Sequence, residues 1–152
     1  ACFHLNIPPT REGLLDERDV KRLKEFGDLV RKEFGTPVKT RVEKAEGCPA
    51  TQPKYTITFE KPVKDIKYVV LAEDIAQGQR VESFRITADF ASGGQYALYQ
   101  GTCIGNKRIC QLQDPFAHQN PLINDSTPEI RQLTVHITAA RDEVIMKDIA
   151  VY

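Results

Sequence analysis

The chain has no tryptophan, a single methionine and only 8% aromatic residues, so its core has to be built mainly from aliphatic side chains. It has no charge excess either, because 21 Lys and Arg balance 21 Asp and Glu. Without a net field, neither nucleic acid nor an anionic membrane surface is an expected partner. No apolar run approaches the roughly 20 residues of a membrane-crossing helix, so membrane insertion is not expected. Residues 1–5 lack the basic and long apolar regions of a signal peptide, which says little if the chain is part of a longer one. The four cysteines (Cys2, Cys48, Cys103, Cys110) show no C-x-x-C or Cys/His zinc spacing, so no metal is expected. No Gly-rich phosphate loop, Ser-His-Asp order or fixed-period repeat is present. Adjacent acids such as Asp16-Glu17, Glu73-Asp74 and Asp142-Glu143 do not converge on one point in a helix or strand. No cofactor is expected.

What remains is a chain of 152 residues with 41% hydrophobic content, enough for one ordinary domain with a real core. Phe3, Leu5 and Ile7 alternate with His4 and Asn6, which predicts a strand that Pro8-Pro9 brings to an end. A helix is predicted over 16–34. Asp16 is its N-cap, Leu15 and Val20 form a hydrophobic staple, and Val20, Leu23, Phe26, Val30 and Phe34 lie near one stripe. Gly35 is expected in the left-handed conformation, with Thr36-Pro37 preventing continuation. From Val38 the period changes to two. Short strands are predicted around Tyr55-Ile57-Phe59, over 66–71, through Phe84-Ile86-Ala88-Phe90, over 96–103 and 107–112, through Leu133-Val135-Ile137, and over 144–151. Seven or eight strands without an intervening helix predict an antiparallel β-sandwich. An amphipathic helix with almost no partner of its own points to a larger body upstream.

Three stretches carry a family resemblance. The first is His4-Leu5-Asn6-Ile7-Pro8-Pro9, followed by Gly13-Leu14-Leu15 and the helix. The second is Leu71-Ala72-Glu73-Asp74-Ile75 with Gly78-Gln79-Arg80-Val81, and the third is Gly101-Thr102-Cys103-Ile104-Gly105-Asn106-Lys107-Arg108-Ile109. In order and spacing they resemble the C-terminal region of the glycoside hydrolase family of exo-α-L-fucosidases. The resemblance implies an all-β, galactose-binding-like (discoidin-type) antiparallel sandwich over 37–152. Before it, residues 1–36 would be the last strand and helix of a (β/α) barrel. It further implies a parent enzyme that removes terminal α-L-fucose with retention, through an Asp nucleophile and a Glu acid/base about 5–5.5 Å apart. Both would lie upstream of this chain, which alone would be a non-catalytic accessory domain bracing the barrel. The alternative is an independent carbohydrate-binding module for fucosylated glycans, using exposed rings such as Tyr96, Tyr99 or Phe116. A periplasmic or secreted location is implied by the resemblance only. Three features depart from the family, one being the long polar stretch from Gln113 to Gln132 between strands that relatives join briefly. Glu46-Gly47-Cys48-Pro49 replaces an aspartate-rich stretch, and Tyr96 stands where a Trp commonly follows the glycine.

Several residues are candidates for function. Glu73, Arg80, Lys107 and Arg108 form either a charged groove or, as the preferred reading, a salt-bridge network in which Glu73 pairs with Arg80 or Arg108. Phe116, His118 and Asn120 sit in a polar loop with the mixture of ring, imidazole and amide that sugar sites use. Asn6, at the end of the barrel-like strand, either faces an active site or caps the Pro8-Pro9 turn. If Gly105 to Arg108 form a four-residue hairpin loop, Cys103 and Cys110 face each other and can form a disulfide. A turn centred on Gly105-Asn106 separates them, and both registers remain open.

Overall fold

In the computed structural model, which describes residues 5–113 and 129–152, helix α1 runs over Glu17–Phe34. Asp16 caps it. Its Oδ1 accepts the Arg18 backbone N–H at 2.9 Å, and the Arg18 guanidinium donates to the same carboxylate at 3.0 and 3.1 Å. These donors hold the Asp16 carboxyl at about 2, below its ordinary 3.8. The helix ends differently from expectation. Gly35 is right-handed, with φ −73° and ψ −43°. What it supplies is space, because a Cβ there would run into the Arg31 carbonyl oxygen. No residue of α1 is buried, and Val20, Phe26, Leu29 and Val30 are 40–56% exposed.

The strand expected around Leu5 to Ile7 does not form among its described residues, which take no regular structure. An extended segment becomes a strand only beside another to which its N–H and C=O groups can bond, and residues 5–36 supply none. The segment instead turns after Pro8-Pro9, where Gly13 N–H donates to the Thr10 carbonyl at 3.0 Å and Thr10 N–H to that of Leu14 at 2.7 Å.

The chain divides into two compact units, Ala1–Thr36 and Pro37–Tyr152. In the second, alternation builds eight strands: β1 (Thr40–Lys44), β2 (Lys54–Val63), β3 (Tyr68–Glu73), β4 (Val81–Phe90), β5 (Gln95–Gly101), β6 (Arg108–Gln111), β7 (Ile130–Ala140) and β8 (Met146–Val151). They form a five-stranded sheet in the order β1-β2-β7-β4-β5 and a three-stranded sheet in the order β6-β3-β8, with every pairing antiparallel. One core lies between the sheets. Ile57, Phe84, Ile86, Leu133, Val135 and Ile137 come to it from the larger sheet, and Val69, Leu71 and Val151 from the smaller, all fully buried. Each such side chain contributes roughly 1.5–3 kcal/mol. β3 is buried from Val69 to Glu73, as its continuous apolar run predicts.

Residues 95–113 do not fold as a hairpin. β5 pairs with β4 while β6 pairs with β3, so the chain between Gly101 and Arg108 crosses from one sheet to the other. Neither hairpin register applies, and Cys103 and Cys110 are free thiols rather than a disulfide. Cys110 stands opposite Val69 in the core, where burial pushes its thiol up to about 12.

Candidate functional site

The sequence-predicted charged residues gather where β3 ends. Glu73 is only 2% exposed, the one charged side chain among the described residues that is buried. Its Oε1 accepts the backbone N–H groups of Arg80 at 2.8 Å and Val81 at 3.0 Å, and its Oε2 accepts that of Gly105 at 2.8 Å. The Glu73 N–H in turn donates to the Gly105 carbonyl at 2.8 Å. Asp74 caps the short 3-10 turn Ile75–Gln77 by accepting the Ala76 N–H at 3.0 Å, which brings the chain round to Arg80. Gly105 sits at φ +67°, a left-handed conformation that a side chain would strain.

The expected ion pair between Glu73 and an arginine is therefore replaced by three amide dipoles. A buried carboxylate has to be saturated with donors, and fixed backbone N–H groups do this without ordering a long side chain. The arginines turn elsewhere. The Arg80 guanidinium donates to the Glu143 carbonyl at 2.7 Å and to Gln77 Oε1 at 2.9 Å, and lies 3.9 Å from the Asp142 carboxylate. Arg108 donates to the Tyr99 hydroxyl at 3.2 and 2.9 Å, and this bond raises its pKa. Lys107 is exposed and makes no ion pair with a described residue. Chemically, the Glu73 carboxylate is engaged on both oxygens and almost closed off from solvent. It ties the loop at 74–80 and the crossing at 102–107 to the end of β3.

Asn6 is exposed and lines an open cavity of about 380 Å³ within residues 5–36, together with Asp19, Arg22 and Phe26. Arg22 is engaged with Glu25 at 2.7 Å. The cavity thus offers one amide and one carboxylate beside a mostly apolar wall. Phe116, His118 and Asn120 lie outside the described residues. Of the tyrosines considered for sugar stacking, Tyr96 is 41% exposed and tilted against Phe90, with ring centroids 5.5 Å apart. Tyr99 is stacked inward on Phe84 at 5.8 Å. Sequence reasoning missed the role of the backbone amides at Glu73, because amide donors have no letter of their own. The available signals were an acid closing an apolar strand and the glycines at 78 and 105.

No family model matches the chain. Over 139 aligned residues it is 28% identical to α-L-fucosidase 1 of Arabidopsis thaliana, covering 74% of this chain and 28% of that protein. A crystal structure from Bacteroides ovatus, assigned as an α-L-fucosidase, is 31% identical with a TM-score of 0.72. The chain is a relative of the α-L-fucosidases. The match to the Bacteroides ovatus protein covers 97% of this chain and 22% of that one. A family 29 fucosidase of Ruminococcus gnavus, solved with fucose, has the same fold (TM-score 0.74, 21% identity, 97% of this chain and 32% of that one). The chain therefore spans between 22% and 32% of the length of these three proteins. The antiparallel β-sandwich that the resemblance implied is the architecture found. Two of the three fucosidase-like stretches, around Glu73 and around Gly105, are the segments that the buried carboxylate joins.

Proposed function

We propose that this chain is the accessory β-sandwich part of an α-L-fucosidase, and that residues 1–36 belong to the catalytic (β/α) barrel of that enzyme. The observation that carries this reading is a likeness to a fucosidase structure that runs through 97% of the chain, and so through both of its units, while covering only 22% of the other protein. The exposed apolar side chains of α1 support it, because a helix of this kind gains most of its stability from a packed face. In this reading the nucleophilic Asp and the acid/base Glu lie outside these 152 residues. The sandwich braces the barrel, and the parent removes terminal α-L-fucose with retention from exported glycans, in a periplasmic or secreted setting. The reading as an independent carbohydrate-binding module ranks second, because Tyr99, one of the rings it could use, is turned inward onto Phe84.

The test is hydrolysis of an aryl α-L-fucoside. The 152-residue chain alone is expected to show no turnover, and a full-length polypeptide carrying it is expected to hydrolyse the fucoside with retention. Turnover by the chain alone, or an inert full-length protein, would overturn the proposal.

A further inference from the structure

The outer face of the five-stranded sheet carries a feature that the fold does not explain. Residues alternating with the core positions point outward, and the register aligns Lys54 of β2 opposite His136 of β7, His136 opposite Arg85 of β4, and Arg85 opposite Gln100 of β5. Three basic side chains thus stand side by side on adjacent strands, with about 10 Å between the outer two strands. Lys54 and Arg85 are exposed and His136 is half-buried. Whenever His136 takes up a proton it meets a like charge on both sides, an arrangement that destabilises a sheet. No described residue forms an ion pair with any of the three. The nearby acids on the same face are engaged elsewhere. Glu43, opposite Thr56, bonds Arg41 at 2.7 Å. Asp89 accepts the side-chain amides of Gln95 at 2.8 Å and Gln132 at 3.2 Å.

Beside this row the face carries mainly hydroxyls and amides, with the carboxylates of Glu43 and Asp89 in the same two registers. Thr56, Thr134 and Thr87 align in the next register, and Thr58 and Gln132 in the one after. Apart from the His136 imidazole, the three registers hold no aromatic ring and no aliphatic side chain larger than Ala97. That lack disfavours a protein partner, whose interface would need a desolvated aromatic or aliphatic anchor. It equally disfavours single-stranded nucleic acid, which needs stacking platforms. Cations at a strand spacing, next to many hydroxyl and amide groups, match a chain of sugars that bears acidic groups at intervals and hydroxyls between them.

We infer that the Lys54–His136–Arg85 row is a binding site for an anionic glycan, its carboxylate or sulfate groups lying over the row and its hydroxyls over the threonines. This inference does not depend on the assignment to a fucosidase. The bound acid offsets the like-charge repulsion within the row, so binding weakens as salt screens it.

The test titrates the 152-residue chain, at low salt, with a sulfated oligosaccharide, a uronate-bearing one and a neutral one of equal length. Heat of binding and the NMR signals of the His136 ring are followed together. Saturable binding of an acidic ligand is expected, with the His136 titration moving upward on binding and no response to the neutral sugar. The stronger of the two acidic ligands identifies the group recognised. A Lys54→Gln/Arg85→Gln double variant, altered only at exposed side chains, is expected to bind about tenfold more weakly or worse. Lys147→Gln on β8 is expected to leave affinity unchanged. Three outcomes would each overturn the inference: no binding of either acidic sugar, undiminished affinity in the double variant, or equally tight binding of polyglutamate.

Discussion

Glu73 concentrates the chemistry of the sandwich in one side chain. Replacing it with Ala would leave the buried N–H of Val81 and the half-buried N–H groups of Arg80 and Gly105 without an acceptor. Each unsatisfied buried donor costs about 1–3 kcal/mol, so Glu73→Ala is expected to destabilise the sandwich by about 3 kcal/mol or more. Glu73→Gln should recover only part of this, because its NH₂ group meets another donor. Denaturant unfolding measures the loss, and amide exchange at Val81 and Gly105 locates it. A variant within about 0.5 kcal/mol of the parent would contradict the role given to the carboxylate. The sequence displayed Glu73 and its arginines but not this arrangement, since side-chain letters suggest ion pairs and conceal amide donors. Gly101 was equally opaque. It belongs to a recognisable motif, yet its reason is steric, because a Cβ there would stand 2.9 Å from the rings of both Phe84 and Tyr99.

At the level of elements, the basic row spanning β2, β7 and β4 makes the larger sheet sensitive to acid. Burial, then Lys54 and Arg85, lower the pKa of His136. A base whose folded pKa is depressed contributes its full stability above the ordinary value of 6.5, and loses that contribution as pH falls through the folded value. Arg85→Gln is expected to raise stability by roughly 0.2–1 kcal/mol below pH 6.5, where His136 becomes charged, and so to make the decline there shallower. Thermal melts across pH check both effects, and an unchanged slope would remove Arg85 from the explanation. Alternation made the strands legible, and the capping residues made α1 legible. The crossing between β5 and β6 was not, because a hairpin and a change of sheet show the same alternation and the same turn residues. Which strand lies beside which is settled by distant segments, and the alignment of Lys54, His136 and Arg85 is invisible for the same reason.

Over the whole molecule, zero formal charge and a pI near 7.0 coincide with an exposed apolar helix face. Little repulsion then opposes association through that face. Sedimentation is expected to show concentration-dependent self-association of this chain at pH 7, reduced by Phe26→Lys. A monomer at all concentrations would mean that the face is too small to associate. The family likeness was legible because its three stretches keep their order and spacing. The missing first strand was not, since a strand depends on a neighbour that residues 5–36 lack. The sheet order has a kinetic consequence of its own. β7 lies at the centre of the five-stranded sheet, yet it is the seventh strand in the chain. During synthesis β1–β2 and β4–β5 emerge as two separate hairpins with open edges, and such pairs alone are marginal in water. The core closes only when the ribosome delivers residues 130–140, so nascent chains interrupted before that point are the aggregation-prone ones.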